Sequence, residues 1–228
     1  MIQYLVRHGR SVSNQEGRVQ GRADVPLSPL GQRQAEIMAG WALSLPHVDE
    51  VWSSPLVRAR DTAAPIAAAL GLEVRVAAEL AELDAGIFQG HLWSDLEARF
   101  PEAVARWRSG DADFAIPGGE SRSQLAARGR AALETLTARA APAIVVVAHG
   151  GILTAALGSL LGRTHPLLAA AAERPFTRLP ALENCSVSTL RWPGPELVAF
   201  NDTGHLGGMT DDMSPASPAD NGPARDAE

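Results

Sequence analysis

Short apolar runs alternate with longer amphipathic segments along most of the chain. Apolar runs rich in β-branched residues predict strands, whereas apolar residues at helical spacing predict helices. The predicted strands are the run that ends at Gly9, Val48–Ser53, Glu73–Val76 at a sheet edge, the run Ala143–Gly151, Ser186–Arg191 and Leu197–Phe200. The predicted helices are Leu30–Leu45, Leu56–Leu70 and segments that begin near Ser94, Ser121 and Gly151, while the polar segment Gly9–Val25 is predicted as a loop. Strands separated by helices predict an α/β fold of three α/β/α layers around a mostly parallel sheet.

Local signals place the ends of several helices. Ser28 is a suitable N-cap with Pro29 in the first helical position, and Gly71 is a suitable end for the helix before it. Ser94–Glu97 and Ser121–Gln124 both have the spacing of a capping box, in which two side chains satisfy two backbone N–H groups. Helices are therefore expected to begin at both places.

Two of the predicted strands end in the same dipeptide, His-Gly. Met1–Gly9 reads MIQYLVRHG and Ala143–Gly151 reads AIVVVAHGG. In open α/β sheets, ligands bind in the crevice at the carboxyl ends of the strands. We therefore expect His8 and His149 to lie in one crevice, and the cation of Arg7 beside them favours phosphate chemistry.

The length and charge distribution predict one folded domain and an acidic tail. The chain has 228 residues and a net charge of −6, and the segment from Gly207 onward holds five of its acidic residues and a single cation, Arg225. The tail has no aromatic residue and no periodicity, so residues 207–228 are expected to be disordered and residues 1–206 to form the catalytic domain. The nearly neutral remainder gives no reason to expect a nucleic-acid partner.

Composition excludes several kinds of chemistry. All 20 basic residues are arginine, which excludes a lysine Schiff base and a Walker-type phosphate loop. Cys185 is the only cysteine, so neither an internal disulfide nor a thiolate zinc site can form.

Nothing in the sequence predicts a membrane protein. The segment Ala140–Gly162 has no formally charged residue, yet it contains Pro142 and the His149 dipeptide and divides into a strand and a helix. It is predicted as a buried βα unit and not as a membrane span. The beginning of the chain has no basic region and only a short apolar run, so no secretory signal is predicted and a cytoplasmic enzyme is expected.

Two further residues are candidates for the same site. Arg58 falls in the first turn of a predicted helix, where the helix dipole already favours an anion. Glu82 lies in the acidic segment Glu79–Gly86. Acidic residues in loops are commonly just solvated, so Glu82 matters only if the fold returns it to the histidines.

Taken together, these motifs resemble the histidine phosphatase superfamily, in its phosphoglycerate mutase-like branch. The resemblance runs from Met1 to about Leu206 and rests on ordered motifs with matching spacing. They are Arg7-His8-Gly9 with Ser11 and Asn14, Gly17–Leu27, Leu27-Ser28 with Gly31 and Gln34-Ala35, Ser54-Pro55-Leu56 with Arg58-Ala59 and Thr62-Ala63, Glu82 with Gly86 and Gly90, Gly119-Glu120-Ser121, and His149-Gly150. Arg10 and Ser11 depart from the usual pattern, which affects substrate preference only.

The resemblance implies a role for each site residue. His8 is the nucleophile that becomes a phosphohistidine, Arg7, Arg58 and His149 stabilise the transferring group, and Glu82 is the general acid. The pocket is then lined by Asn14, Gln20 and Gly21. Splitting the displacement into two steps is the advantage of covalent catalysis, and arginine binds phosphate bidentately. A bound phosphate dianion would favour protonated Glu82, which predicts a mildly acidic optimum.

The resemblance also fixes the expected reaction and its alternatives. We expect a metal-independent phosphatase without a cofactor that hydrolyses a small phosphorylated metabolite. A cofactor-dependent phosphoglycerate mutase is the first alternative, disfavoured by the compact region His91–Gly119, and a non-catalytic phospho-ligand-binding protein is the second. A metal site made of His8, His149 and the acidic loop is disfavoured because two arginines would repel the cation.

The substrate-binding rim is predicted less sharply. Arginine, histidine and tryptophan side chains near the site would suit a second acidic group on the substrate, although the tryptophans could equally well pack the region above the sheet. The candidates for this rim are Arg10, Arg22, His91, Trp93, Trp107 and Arg108.

Overall fold

The structure, a computed structural model, describes residues 1–162, 164–170 and 182–210. Within these ranges one sheet contains six strands, in the order β3-β2-β4-β1-β5-β6. The strands are β1 (Ile2–Arg7), β2 (Glu50–Ser53), β3 (Val74–Val76), β4 (Ala143–Ala148), β5 (Val187–Arg191) and β6 (Glu196–Asp202). The first four are mutually parallel, whereas β5 and β6 are antiparallel to their neighbours. The predicted mostly parallel α/β fold is confirmed.

Helices connect the strands and cover both faces of the sheet. They are α1 (Val12–Glu16), α2 (Pro29–Ser44), α3 (Val57–Leu70), α4 (Leu96–Arg99), α5 (Pro101–Arg108), α6 (Arg122–Leu136), α7 (Gly150–Leu161) and α8 (Pro166–Ala169). On one face, α2 and α3 pack against Val6, Val145 and Val147 of the central strands. On the other face, α6 and α7 pack against Ile144 and Val146. The alternating directions of side chains along β4 therefore supply both cores, which is why that strand is apolar throughout.

A third apolar cluster lies apart from the two sheet faces. It joins the segment after α1, the segment after β3 and the helices α4 and α5. Its buried members are Val19, Ala85, Phe88, Leu96, Val104, Trp107 and Ile116. This cluster, called here the cap cluster, gives the residues between β3 and α6 an apolar core of their own.

Several predicted helix ends are confirmed. Ser28 accepts a hydrogen bond from the Gly31 N–H at 3.2 Å at the start of α2, and Pro29 is the first residue of that helix. Ser121 and Gln124 form the expected capping box at the start of α6. Gly71 ends α3 with a positive φ of 66°, a conformation that glycine adopts readily.

Two local predictions are wrong. The Ser94 side chain does not cap a helix; it donates to the Asp95 carboxylate at 3.2 Å, and α4 begins only at Leu96. The segment Gly9–Val25 is not all loop, because α1 lies within it. Ser11 caps this helix in a capping box with Asn14. Asn14 takes the position that glutamate or glutamine usually occupies in a capping box, so the usual sequence pattern of a helix start is absent.

The first residues of the predicted tail pack back onto the sheet layers. Gln34 of α2 donates to the Met209 carbonyl oxygen at 3.0 Å, and the Met209 side chain packs against the core that α2 and α3 cover. Most of the predicted disordered tail, residues 211–228, lies outside the described residues. In the part of the chain that the structure describes, no helix is both long and apolar enough to cross a membrane.

Candidate active site

Strand register brings the two His-Gly dipeptides side by side. Arg7, the last residue of β1, is paired with Ala148, the last residue of β4, in parallel strands. The next residue of each chain segment is a histidine, so His8 and His149 emerge at the same height. Their ring centroids are 5.1 Å apart. The shared crevice predicted from the sequence is therefore present at the carboxyl ends of the two central strands.

His8 is held in one tautomer. Its Nδ1 lies 2.7 Å from the Gly9 carbonyl oxygen. A carbonyl oxygen can only accept a hydrogen bond, so Nδ1 carries the hydrogen and the lone pair of the neutral ring is on Nε2. The His8 backbone is fixed as well, because Asn184 donates to the His8 carbonyl oxygen at 2.8 Å. The geometry presents Nε2 as the nucleophilic nitrogen.

Gly9 and Gly31 lie where the neighbouring backbone leaves no room for a Cβ atom. A Cβ on Gly9 would lie 2.7 Å from the Gly31 carbonyl oxygen, and one on Gly31 would lie 2.0 Å from that of Arg10. The two glycines therefore let α2 contact the end of β1. The Gly9 N–H donates to Thr62 Oγ1 at 2.9 Å, which ties this segment to α3 as well.

Arg58 is a fully buried cation directed at the loop that lines the site. Its guanidinium donates to the carbonyl oxygens of Gly21 at 2.8 Å and Ala23 at 2.7 Å. Burial lowers the pKa of Arg58 to about 10, against the opposing effect of the Glu82 and Asp24 carboxylates. The side chain therefore remains charged at neutral pH. Among the described residues, its Nε has no hydrogen-bond partner.

His149 is buried and held by Ser54, whose motif alone did not predict a place in the site. Its Nε2 lies 2.7 Å from Ser54 Oγ. That hydroxyl accepts from the Leu56 N–H at 3.3 Å, so its own hydrogen is available for Nε2. In the tautomer in which Ser54 donates to Nε2, Nδ1 carries the hydrogen. Nδ1 is buried without a hydrogen-bond partner among the described residues, and a neutral ring could donate from it to an anion.

The ionisation of His149 predicts a pH-dependent stability. Burial first, and the Arg58 charge next, lower the pKa of His149 well below 6.5. Below pH 6.5 the unfolded chain takes up a proton that the folded protein does not, so stability is lost as the pH falls. We expect this residue to lower the free energy of unfolding by about 1 kcal/mol between pH 7.5 and pH 5.5.

Urea unfolding of the wild type and of His149→Gln at these two pH values measures that contribution. The variant should show a smaller decrease by that amount, because glutamine does not titrate. An identical pH dependence in both proteins would contradict the assignment of a neutral, buried imidazole.

The fold returns Glu82 to the site. Its carboxylate accepts hydrogen bonds from the Gly151 N–H at 2.8 Å and the Ile152 N–H at 3.0 Å, in the first turn of α7, and from the Leu83 N–H at 2.8 Å. A Cβ on Gly151 would lie 2.5 Å from Glu82 Oε1, so a side chain there would displace the carboxylate. Glu82 is thus placed directly beside the end of β4.

The remaining predicted residues lie around the same space. Arg7 is buried and donates to the Leu182 carbonyl oxygen. Ser11 Oγ donates to Gln20 Oε1 at 2.7 Å, and the Ser11 backbone N–H donates to Asn14 Oδ1 at 3.2 Å, which fixes both amide side chains. Gly21 has a positive φ of 52° and presents its carbonyl oxygen to Arg58.

These side chains surround a cavity of about 830 Å³, including its open mouth. Seven of the eight predicted site residues line it, namely Arg7, His8, Asn14, Gln20, Gly21, Arg58 and Glu82. His149 is fully buried beside His8, and the two glycines that follow it line the cavity. The structure therefore brings all eight predicted residues together.

The prediction of the rim is mostly wrong. Trp93 and Trp107 line the cavity, but the other four candidates, Arg10, Arg22, His91 and Arg108, are not among its lining residues. Arg22 lies 3.6 Å from the Asp84 carboxylate instead. Two arginines that the sequence analysis missed, Arg18 and Arg122, line the cavity, and the Arg122 guanidinium lies 3.6 Å above the Trp107 ring. No sequence motif distinguished these two from other arginines.

A metal centre is not part of the arrangement that the structure describes. Among the described residues, no group of three or more His, Cys, Asp or Glu side chains is placed to hold a metal ion. The cations of Arg7 and Arg58 beside the histidines suit an anion instead.

An α/β sheet with two histidines, two arginines and a carboxylate at its central strand ends defines a phosphoryl-handling enzyme. The chain belongs to the histidine phosphatase superfamily (branch 1), whose pattern it matches over residues 3–203. The predicted family and the predicted class of enzyme, a phosphoric monoester hydrolase, are confirmed.

Three comparisons illustrate the relationship. The chain is 37% identical over 159 residues to phosphoserine phosphatase 1 of Hydrogenobacter thermophilus, covering 69% of this chain and 75% of that protein. It is 34% identical over 215 residues to the probable phosphoglycerate mutase GpmB of Yersinia enterocolitica, covering 89% and 94%. The native structure of mycobacterial glucosyl-3-phosphoglycerate phosphatase superposes with a TM-score of 0.74 and 31% identity, covering 89% of this chain and 99% of that one.

Proposed function

We propose that the protein is a metal-independent phosphatase that hydrolyses a small phosphomonoester through a phosphohistidine on His8. The observation that carries the proposal is the His8 tautomer, because the Nδ1 contact with the Gly9 carbonyl oxygen leaves the lone pair on Nε2. A neutral imidazole lining a cavity with Arg7 and Arg58 has the nucleophile and the anion-binding cations that phosphoryl transfer needs.

Arg7, Arg58 and His149 are proposed to stabilise the transferring phosphoryl group. Unaided hydrolysis of phosphate monoesters is so slow that accelerations of up to ~10²¹ have been found for this class of reaction. Most of such an effect comes from charges and donors that are in place before the reaction. Arg58 is buried and fixed by two carbonyl oxygens, and His149 is fixed by Ser54. Neither group needs to reorganise during transfer.

Glu82 is proposed as the general acid for the leaving alkoxide. It lines the cavity, and its carboxylate is bound by three backbone N–H groups. Within the described part of the chain, its Oε2 accepts only from the Gly151 N–H, so this oxygen has a second lone pair that could carry the transferred proton. Water would then attack the phosphohistidine with Glu82 acting as the base.

A panel of phosphomonoesters tests the proposal. Purified protein in excess EDTA and without any bisphosphoglycerate primer is expected to release inorganic phosphate from at least one substrate, with undiminished activity relative to EDTA-free buffer. The panel should include phosphoserine, 3-phosphoglycerate and glucosyl-3-phosphoglycerate, because relatives are named for these compounds. Loss of activity in EDTA would contradict the metal-free mechanism.

A mutase remains the second candidate because several relatives are named as probable phosphoglycerate mutases. Both activities use the same phosphohistidine, and they differ in whether water or a second hydroxyl group receives the phosphoryl group. A strict requirement for a bisphosphoglycerate primer, with isomerisation of 3-phosphoglycerate in place of phosphate release, would favour the mutase.

A further inference from the structure

The segment that carries Glu82 has little regular structure of its own. Between β3 and Glu82 there is only a short 3₁₀ helix, Ala78–Leu80. The position of the Glu82 backbone is therefore set mainly by contacts with other parts of the chain, and one side chain donates three hydrogen bonds to this segment.

Arg128, from the middle of α6, donates hydrogen bonds to three carbonyl oxygens of this segment. Its Nη1 donates to Glu79 at 2.7 Å and to Ala81 at 2.6 Å, and its Nη2 donates to Glu82 at 3.2 Å. Side-chain-to-carbonyl bonds from a charged donor are stronger than bonds between neutral groups. A single guanidinium thus holds three of the four residues that lead to and include Glu82.

Glu120 fixes the Arg128 side chain in turn. The Arg128 Nη2 lies 2.6 Å from Glu120 Oε1 and the Nε lies 3.4 Å from Oε2, so the two planar groups meet in a fork. Glu120 Oε1 also accepts from the Asp84 N–H at 2.9 Å. The Arg128–Glu120 pair therefore holds the chain on both sides of Glu82, before it through Arg128 and after it through Glu120.

We propose that Arg128 is the positioning residue for Glu82, so that its guanidinium determines whether the carboxyl group can reach the leaving oxygen. This inference rests on the proposed role of Glu82 as the general acid. Lysine cannot replace arginine in it, because an ammonium group cannot bond three carbonyl oxygens and a carboxylate in one plane. Arg128 itself is not among the residues that line the cavity, and its hydrogen bonds reach the site through the segment that carries Glu82. Its charge also contributes to the low pKa of His149, and Arg128→Lys keeps that charge.

The first test measures the position of the Glu82 carboxylate and does not depend on enzyme activity. The N–H groups of Gly151 and Ile152 both donate to the Glu82 carboxylate. In Arg128→Gln and Arg128→Lys, hydrogen exchange at these two amides is expected to become at least about tenfold faster, because a displaced carboxylate no longer protects them. The matched control is Arg130→Gln, on the same helix, whose exposed side chain pairs with Glu134 at 2.9 Å. Unchanged exchange in both Arg128 variants would overturn the proposal.

The second test separates positioning from a merely structural role. An alkyl phosphate such as phosphoserine needs a proton on its leaving oxygen, whereas p-nitrophenyl phosphate has a leaving group that departs as an anion. Arg128→Gln is expected to reduce kcat for phosphoserine at least about tenfold more than for p-nitrophenyl phosphate. Equal losses on the two substrates would overturn the proposal. Absence of any phosphatase activity in the wild type would instead refute the proposed function, while the exchange measurement would still decide the position of Glu82.

Discussion

Replacing His8 with alanine is expected to lower kcat by at least ~10⁴-fold, since removal of a catalytic nucleophile has effects of this size or larger in other covalent enzymes. The variant loses the nitrogen that forms the covalent intermediate, while Arg7, Arg58 and His149 still bind phosphate. We therefore expect inorganic phosphate or vanadate to bind to His8→Ala, and the free energy of unfolding to change much less than the rate.

The intermediate provides a direct measurement of the same prediction. After rapid mixing with ³²P-labelled substrate and quenching in alkali, the wild type is expected to carry one acid-labile phosphoryl group on the peptide that contains His8. His91→Ala is a suitable control, because His91 packs against Phe100 and is not among the cavity-lining residues. Labelling of another residue, or turnover by His8→Ala within tenfold of the wild type, would refute the assignment of His8 as the nucleophile.

The sequence predicts the centre of the site well because local rules determine it. A run of apolar, β-branched residues is enough to predict a buried parallel strand and the residue at which it ends. Parallel strands in register then place their carboxyl ends at the same edge of the sheet. His8 and His149 follow such strands directly, and Arg58 follows β2 after a short connection. The same reasoning could have found Ser54, which follows β2 and contacts His149.

The periphery of the site could not be predicted because long-range contacts determine it. Whether an arginine faces the cavity depends on where its partner lies. Arg22 is directed toward Asp84 and Glu120, whereas Arg122 is held over Trp107. The position of Glu82 depends on Arg128, which is 46 positions further along the chain. Residue type and spacing do not encode such contacts, and the family resemblance alone identified Glu82.

Different kinds of contact hold the two parts of the site in place. The proposed nucleophile and the cations are fixed by the sheet and by helices packed against it, so they form the rigid part of the site. The proposed acid belongs to a segment that side chains hold in place, through Arg128 and Glu120. We therefore expect changes in that segment to slow transfer from leaving groups that need a proton, while the nucleophile and the anion-binding cations stay in place.

Replacing Glu82 with glutamine is expected to reduce kcat for phosphoserine by about 10²-fold or more, the usual contribution of a general acid. The Gly151 and Ile152 N–H groups donate to different carboxylate oxygens, so the single amide oxygen of glutamine can replace only one of these oxygens. The segment should still keep its position, because Arg128 and Glu120 bond its backbone. It cannot give a proton to the leaving oxygen. The loss on p-nitrophenyl phosphate should be far smaller, because its leaving group does not need one.

The division of the effect between kcat and KM distinguishes this role from a role in binding. With phosphoserine, Glu82→Gln is expected to lower kcat and to leave KM nearly unchanged, because the proton is transferred only in the transition state. Glu79→Gln, which changes an exposed carboxylate in the same segment, should leave both constants nearly unchanged. An unchanged kcat for phosphoserine in Glu82→Gln would show that another group protonates the leaving oxygen, and the proton donor would then have to be sought among the other groups that line the cavity.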